Sequence, residues 1–343
     1  MKFDVSLLVH DLGQMPALAR FAEELKFDGI WTFETSHEPY LPLVLAAEHS
    51  ERLSIGTSIA VAFPRSPTIT AQIAWDLAHY SKGRFILGLG TQVKGHIERR
   101  FAVQWDSPID KMRDYILAVR AVWDSWQNQT RLNYRGKFYQ LTLMTPFFSP
   151  APHSHHPVPI FIAGVNRRMC RLAGELCEGL HVHPLHTARY LREVILPEVG
   201  AGLTAAQRTR TALELSSSVF VIPADDPQEA QKYEADVRRQ ISFYASTPPY
   251  RPVFDLEGWG TVADQLKALA ARGKWDEMPR LITNEILERF ALRGTWAELP
   301  ALMMKKYDGL LDRVSYYFPL VPGENENGWR ASAAAFKIFK NIP

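Results

Sequence analysis

The sequence predicts a (β/α)8 barrel of the α/β class, one domain over residues 1–343, and three observations carry that prediction. Eight short β-type runs alternate with amphipathic helical patterns, which is how a parallel sheet with crossover helices reads in sequence. Glycine and polar residues gather in the segments that follow the runs, where a barrel places its chemistry. The length suits eight βα units plus insertions, because such barrels commonly exceed 250 residues or so as one unit. A doubly wound open sheet is the competing arrangement.

Residues 2–8 form the first strand, with Phe3, Val5 and Leu7 alternating with Lys2, Asp4 and Ser6, and a helix follows over 15–25 with Leu18, Phe21, Ala22 and Leu25 at helical spacing. The second unit pairs a strand at 29–33 with a helix at 43–49, and the third a strand at 53–61 with a helix at 67–80. Residues 84–89 make the fourth strand. Its helix starts at Ser107-Pro108, with proline at the first helical position and Met112, Tyr115, Ile116, Val119, Val122 and Trp123 on one face. Residues 127–157 are an insertion, with a hairpin around Arg135-Gly136 and then a run rich in Pro and His. The fifth strand (158–163) precedes a helix at 167–176, and the sixth (179–183) a helix at 188–195. The seventh (213–222) leads through the Asp225-Asp226 cap signal to a helix from Pro227. A second insertion, 246–312, holds helical patterns at 262–271 and 296–307; the eighth strand (313–318) and a closing helix (329–339) complete the chain.

Composition narrows the function. Apolar residues make up 46% and charged residues 22%, the proportions of a folded globular chain, and 20 Gly with 23 Pro fall short of a low-complexity sequence. A net charge of +2 supplies no field to draw in a nucleic-acid backbone. Cys170 and Cys177 lie seven apart on one helix, about 10 Å by helix rise, too far for a disulfide. Asp4 and Ser6 interrupt the apolar N-terminal run, so it lacks a signal-peptide core, and no apolar run has the length of a membrane span. The expectation is a cytoplasmic protein with no nucleic-acid or membrane partner.

The candidate site residues stand behind the strands: Glu34-Thr35-Ser36-His37-Glu38 after the second, the stretch from Gly56 to Pro67 at the end of the third, and Gly88-Leu89-Gly90-Thr91-Gln92 at the end of the fourth. Ala163-Gly164-Val165-Asn166-Arg167-Arg168 follows the fifth strand, and His181 and His183 lie on the sixth. Glycine at 164 lets a phosphate approach, Asn166 is placed to cap the helix, and the free N–H groups of a helix start attract an anion. Arg167 and Arg168 oppose the helix dipole there; an anionic ligand would resolve the conflict, and two solvated arginines are the plainer alternative. Gly88 and Gly90 read as close-approach positions under a flat ring, or as a turn that needs glycine. Thr91 and Gln92 offer polar contacts to such a ring. Arg65 is read as holding loop structure. His181 and His183 alternate on a strand and face one side, lining a pocket. Neither 153, 155 and 156 nor 181, 183 and 186 has the spacing of a zinc motif, so no metal is expected, and the first cluster is taken as a solvated loop. Trp105, Phe147, Phe148, Trp259 and Tyr316 are candidates for an apolar substrate wall or for ordinary core packing.

The block GTSIAVAFPRSPTITAQIAWDLAHYSKGRFILGLGTQ, with its Gly-Thr, Arg-x-Pro, Ser-x-Gly-Arg and Gly-x-Gly elements, resembles the luciferase-like monooxygenase superfamily, in particular its coenzyme F420-dependent oxidoreductase branch. FDGIWTFE, VPIFIAGVN and CEGLHVHP resemble the same family's second, fifth and sixth strands. The resemblance implies a bacterial-luciferase-like barrel holding F420, or alternatively FMN, at its C-terminal mouth. It implies a non-proline cis peptide at Ser58-Ile59 behind the ring, with Ala60 next in line, Val93 and His96 as second-rank cofactor contacts behind Thr91 and Gln92, and homodimers. Relatives place an acidic residue and a histidine where Glu34 and Thr35 stand. With Thr35 in the histidine's place, His37 becomes the expected proton donor and Glu34 the group that orients it or bonds the ring. The implied reaction is hydride transfer between the deazaflavin C5 and a small organic substrate. FMN would instead imply a monooxygenase, because reduced FMN reacts with oxygen. A cofactor-binding relative without catalysis and a metal-dependent hydrolase are the further alternatives.

Overall fold

The computed structural model describes residues 1–340 and contains a closed parallel barrel. Its strands are β1 (Lys2–Leu7), β2 (Gly29–Thr32), β3 (Ser54–Thr57) continued by β4 (Ala60–Val61), and β5 (Phe85–Gly90). After the hairpin strands β6 (Tyr134–Arg135) and β7 (Gln140–Leu141) come β8 (Ile160–Gly164), β9 (Gly179–Val182), β10 (Glu214–Pro223), β11 (Ala291–Gly294) and β12 (Arg313–Tyr316). The barrel order is β1-β2-β3-β5-β8-β9-β10-β12, and β12 closes on β1 through Lys2–Arg313 and Phe3–Val314.

The helices are α1 (Met15–Glu24), α2 (Leu41–Glu48), α3 (Pro67–Tyr80), α4 (Lys94–Arg99), α5 (Pro108–Gln127), α6 (Arg167–Leu176) and α7 (Ala188–Tyr190). They continue with α8 (Leu196–Ala205), α9 (Pro227–Ala245), α10 (Arg251–Leu256), α11 (Gly260–Ala271), α12 (Asn284–Phe290), α13 (Leu299–Tyr307) and α14 (Glu326–Lys340). All six apolar residues expected on one face of α5 are buried, and Asp226 caps α9 by accepting from the N–H groups of Gln228 and Glu229. Among the described residues no helix is long and apolar enough to cross a membrane.

Four expectations need correction. The third strand is not continuous over 53–61: it breaks between Thr57 and Ala60 at a cis Ser58-Ile59 peptide. The helix at 188–195 runs on to Ala205 through a π turn at Leu191–Ile195; Pro197, in the first turn of α8, has no N–H to give back to the preceding turn. The 246–312 insertion holds a strand as well as helices: β11 pairs with the C-terminal half of β10, Phe220 opposite Ala291. Its four residues, ending in Arg293-Gly294, carry no alternation to reveal it. The histidines at 153–156 are half-buried rather than solvated: His153 lies against Trp75 with ring centroids 4.0 Å apart, and His156 sits 3.6 Å from Asp124. The 131–141 hairpin forms as expected and is pinned to α5 by Asp114, which accepts from the Tyr134 hydroxyl and the backbone N–H groups of Phe138 and Tyr139.

The barrel interior is layered. Trp31, Ile86 and Phe161 fill its waist. Glycines make room for them: a Cβ on Gly56 would stand 2.5 Å from the Trp31 ring, and one on Gly179 would overlap the Phe161 ring. Below them, at the N-terminal ends of the strands, Arg313 donates through Nε and Nη2 to the two carboxylate oxygens of Asp4 at 2.8 and 2.9 Å, both side chains 1% exposed. Trp31 Nε1 donates to the same carboxylate at 2.8 Å, and Glu214 takes Arg313 Nη1 at 3.2 Å. Removing one partner strands a buried charge, so Arg313→Met is expected to cost about 3 kcal/mol of unfolding free energy. Asp4→Leu combined with Arg313→Met should recover most of it; a urea-denaturation cycle over the four proteins checks this, and an additive double variant would contradict it.

Candidate active site

A cavity of about 490 Å3 opens at the C-terminal mouth of the barrel, above the Trp31 layer. Every barrel strand that reaches it contributes small or polar groups. Ser6 and Leu8 come from β1 and its end, Phe33 and Thr35 from the segment after β2, Ser58 from the break after β3, and His181, Val182 and His183 from β9 and its end. Ser216, Ser217 and Ser218 of β10 and Ser315 of β12 face Gln240 and Tyr244 of α9 and Tyr317 beyond β12. Among the described residues, no side chain with a formal charge lines it. A volume of this size is in the range of small-molecule sites.

The side chains around the β3 break are committed to holding it. Glu34 donates its N–H to the Ile59 carbonyl at 3.1 Å, while its carboxylate accepts from Val61 N at 2.8 Å and from Arg65 Nη1 at 2.7 Å. Arg65 also donates to the Val61 carbonyl and to Glu38. Glu34 is therefore a support of the cavity wall, and Arg65 holds loop structure as expected from sequence. The glycines of β5 also serve the chain itself. A Cβ on Gly88 would overlap the Thr57 carbonyl oxygen, and one on Gly90 would stand 2.6 Å from the Ile59 side chain. Thr57 locks the approach by donating from Oγ1 to the Gly88 carbonyl at 2.6 Å and accepting from Gly88 N at 3.0 Å. The close approach anticipated at Gly88 and Gly90 is thus made by β3 and its continuation, not left open for a ring. Ala60 is fully buried opposite Leu89.

Thr35 reaches the cavity, but His37 does not line it: it is exposed and meets the edge of His10 at 5.8 Å. Thr91 bonds the Gln92 carbonyl, Gln92 has φ +58° and caps Val93 N, and His96 is exposed on α4; none of the three lines the cavity. The Ala163-to-Arg167 stretch ends β8 and starts α6 beside the mouth rather than inside it. Asn166 does not cap α6 with its side chain, which donates to the Pro249 carbonyl at 3.0 Å. The Val165 carbonyl accepts from Tyr190 at 3.0 Å. The conflict between Arg167 and the helix dipole is resolved within the protein, since Glu198 of α8 takes Arg167 at 3.0 Å and Arg171 at 2.7 Å. Arg168 stays exposed, 3.8 Å from Asp110.

His181 and His183 do line the cavity together. His181 lies edge-on to Trp31 at 4.8 Å and beside Phe161, and its Nε2 is buried without a hydrogen-bond partner. Burial, reinforced by the Arg313 charge, lowers its pKa to about 3. His183 stacks on Tyr250 with centroids 4.1 Å apart and meets the Tyr244 edge at 4.5 Å. Its Nδ1 accepts from Leu185 N at 3.1 Å, and burial lowers its pKa to about 3 as well. Among the described residues no group of three or more His, Cys, Asp or Glu side chains is arranged to hold a metal ion.

The far wall was not legible in the sequence. Tyr244 and Tyr317 share a hydrogen bond at 2.5 Å and Tyr317 donates on to Gln240 at 3.2 Å. Ser218 and Ser315, in register on neighbouring strands, bond at 2.8 Å. The one available signal was the run Ser216-Ser217-Ser218 inside an otherwise apolar strand. Of the five aromatics considered for a substrate wall, none lines the cavity: Tyr316 is core, Trp259 packs on Phe254, Trp105 meets Phe63, and Phe147 and Phe148 are exposed.

Residues 1–313 match the family described as luciferase-like monooxygenase. An uncharacterized protein of Mycobacterium tuberculosis is 44% identical over 315 residues, 92% of each chain. An F420-dependent glucose-6-phosphate dehydrogenase of Intrasporangium calvum is 26% identical over 228 residues, 61% of this chain and 65% of the relative. Among solved structures, the coenzyme F420 dependent tetrahydromethanopterin reductase from Methanopyrus kandleri superposes with a TM-score of 0.79 at 18% identity, covering 98% of this chain and 99% of that one, which is a likeness of fold.

Proposed function

The chain belongs to the luciferase-like monooxygenase family, and from that premise we propose that it is an F420-dependent oxidoreductase acting on a small organic molecule. The observation that carries the reading is the uncharged cavity at the C-terminal mouth, walled by serine hydroxyls, an amide, imidazoles and aromatic rings. The residues present fit a flat heteroaromatic group: Ser58 and Thr35 offer polar contacts, and Trp31 and Phe33 apolar ones. The start of α6, next to Gly164, offers backbone N–H groups for a phosphate outside the cavity.

Bound F420 would supply a hydride donor or acceptor at C5. The protein's own part is to bind, orient and exclude water. Tyr244 and Tyr317 close the far wall while staying protonated, since burial raises both hydroxyl pKa values. Glu34 and Arg65 fix the β3 break that carries Ser58. The exposed position of His37 favours a role at the rim over one at the reacting centre.

The test is a fluorescence titration of the purified protein with F420 and, separately, FMN. Micromolar or tighter F420 binding is expected, weakened at least about 10-fold by Gly164→Asp, whose carboxylate would repel a phosphate at the helix start. The atoms nearest the new Cβ belong to the Met169 and Leu180 side chains, at 3.1 Å, so the fold should survive. Preference for FMN would move the protein to the monooxygenase class, and binding of neither would overturn the reading.

A further inference from the structure

We propose that the substrate of this site is uncharged and carries a hydroxyl or carbonyl oxygen, which accepts a hydrogen bond from His183 Nε2–H. The inference rests on the oxidoreductase reading above for the word substrate, but the binding chemistry follows from the cavity alone.

Charge is the first consideration. Phosphate and carboxylate groups are expensive to take out of water unless a cation or several donors replace their hydration. Among the described residues, no Lys or Arg belongs to the cavity wall. Arg65 is bound to Glu34 and Glu38, and Arg313 lies below the Trp31 layer with both of its carboxylate partners. The relative whose name specifies glucose 6-phosphate acts on a dianion; this wall offers serine hydroxyls, an amide and imidazoles in its place.

The imidazole supplies direction. Leu185 N–H donates to His183 Nδ1, so the neutral ring carries its proton on Nε2. Tyr250 stacks on one face and Tyr244 meets the ring edge-on, which leaves the ring little freedom to turn. Nε2 makes no hydrogen bond to the described chain. A fixed, neutral N–H donor in an uncharged cavity recognises an oxygen lone pair and leaves its proton where it is. Trp31, Phe33 and Tyr244 give the cavity its apolar boundary, which suits a compact ring or short carbon skeleton.

The experiment follows intrinsic tryptophan fluorescence of the full chain, free and loaded with F420, during titration with benzaldehyde, cyclohexanone, benzoate and glucose 6-phosphate. At least one neutral compound is expected to bind, and both anions to bind at least about 100-fold more weakly. His183→Phe keeps the stacking ring and removes the donor. It should weaken the neutral ligand about 10-fold, the worth of one hydrogen bond, and change F420 affinity less than about twofold. Gln240→Lys, which adds a cation to the wall, should bring benzoate binding up. Anions binding as well as the neutral pair, no neutral compound binding at 10 mM or so, or an unaltered His183→Phe would each overturn the proposal. Absence of F420 binding would instead remove the cofactor reading, because ligand discrimination is read on the free chain as well.

Discussion

Gly88→Ala is expected to abolish the native barrel or to lower its unfolding free energy by about 4 kcal/mol or more, a loss at the extreme end for single substitutions. The Cβ would have to occupy the position of the Thr57 carbonyl oxygen, which is backbone of a barrel strand and has no rotamer to move into. Relief requires separating β3 from β5, and with it loss of the two Thr57–Gly88 hydrogen bonds that hold the strands where their ladder ends. Gly164→Ala is the control. There the added methyl meets flexible Met169 and Leu180 side chains at 3.1 Å, and the change should stay within about 1 kcal/mol. Soluble yield and urea midpoints of the two variants check the contrast; equal stability would show that β3 can yield where its packing says it cannot.

Acid should destabilise this protein before its carboxylates protonate. His181 and His186 are 5% and 1% exposed, and burial holds each pKa near 3 against about 6.5 for a free imidazole. Positive neighbours add to the effect, Arg313 for His181 and Lys306 for His186. The native state keeps both rings neutral, whereas the unfolded chain takes up protons below about pH 6.5. Stability is therefore complete above that pH and falls as pH drops toward 3. At pH 5 each ring should account for about 2 kcal/mol, roughly 4 kcal/mol together. His183 adds less because it borders the cavity and water can reach it. Urea midpoints at pH 7.5, 6 and 5 measure the slope, and His186→Asn should remove about half of it; a flat profile would contradict the burial argument.

Much of the barrel could be read in the sequence because its determinants are local. Alternation in residues 2–8, the Asp226 cap and the apolar face of α5 each depend on a few neighbouring residues. β11 could not be read, because Ala291 to Gly294 becomes a strand only by pairing with β10 some 70 residues earlier. The same division runs through the site. His181 and His183 were legible as a period-two pair on one strand, and both reach the cavity. Tyr244 and Gln240 were not, since on α9 they continue an ordinary helical pattern and only the fold brings them over the barrel mouth. Gly88 drew attention for the right property and the wrong partner: close approach is what it provides, but to Thr57. Arg167 was read as awaiting an anion because Glu198 lies 31 residues away and its proximity has no trace in sequence.

Trp31 belongs to two structures at once. Its ring borders the cavity, while its Nε1 holds the Asp4 carboxylate under the barrel and its bulk is matched to Gly56. Deepening the pocket from below would therefore disturb the buried ion pair in the same step, and selection acting through stability would oppose it. Gln240, Tyr244 and Tyr250 carry no such obligation to the strands. Divergence of substrate range among descendants of this chain should accordingly be written on α9 and the turn behind it, with the barrel lining inherited almost unchanged.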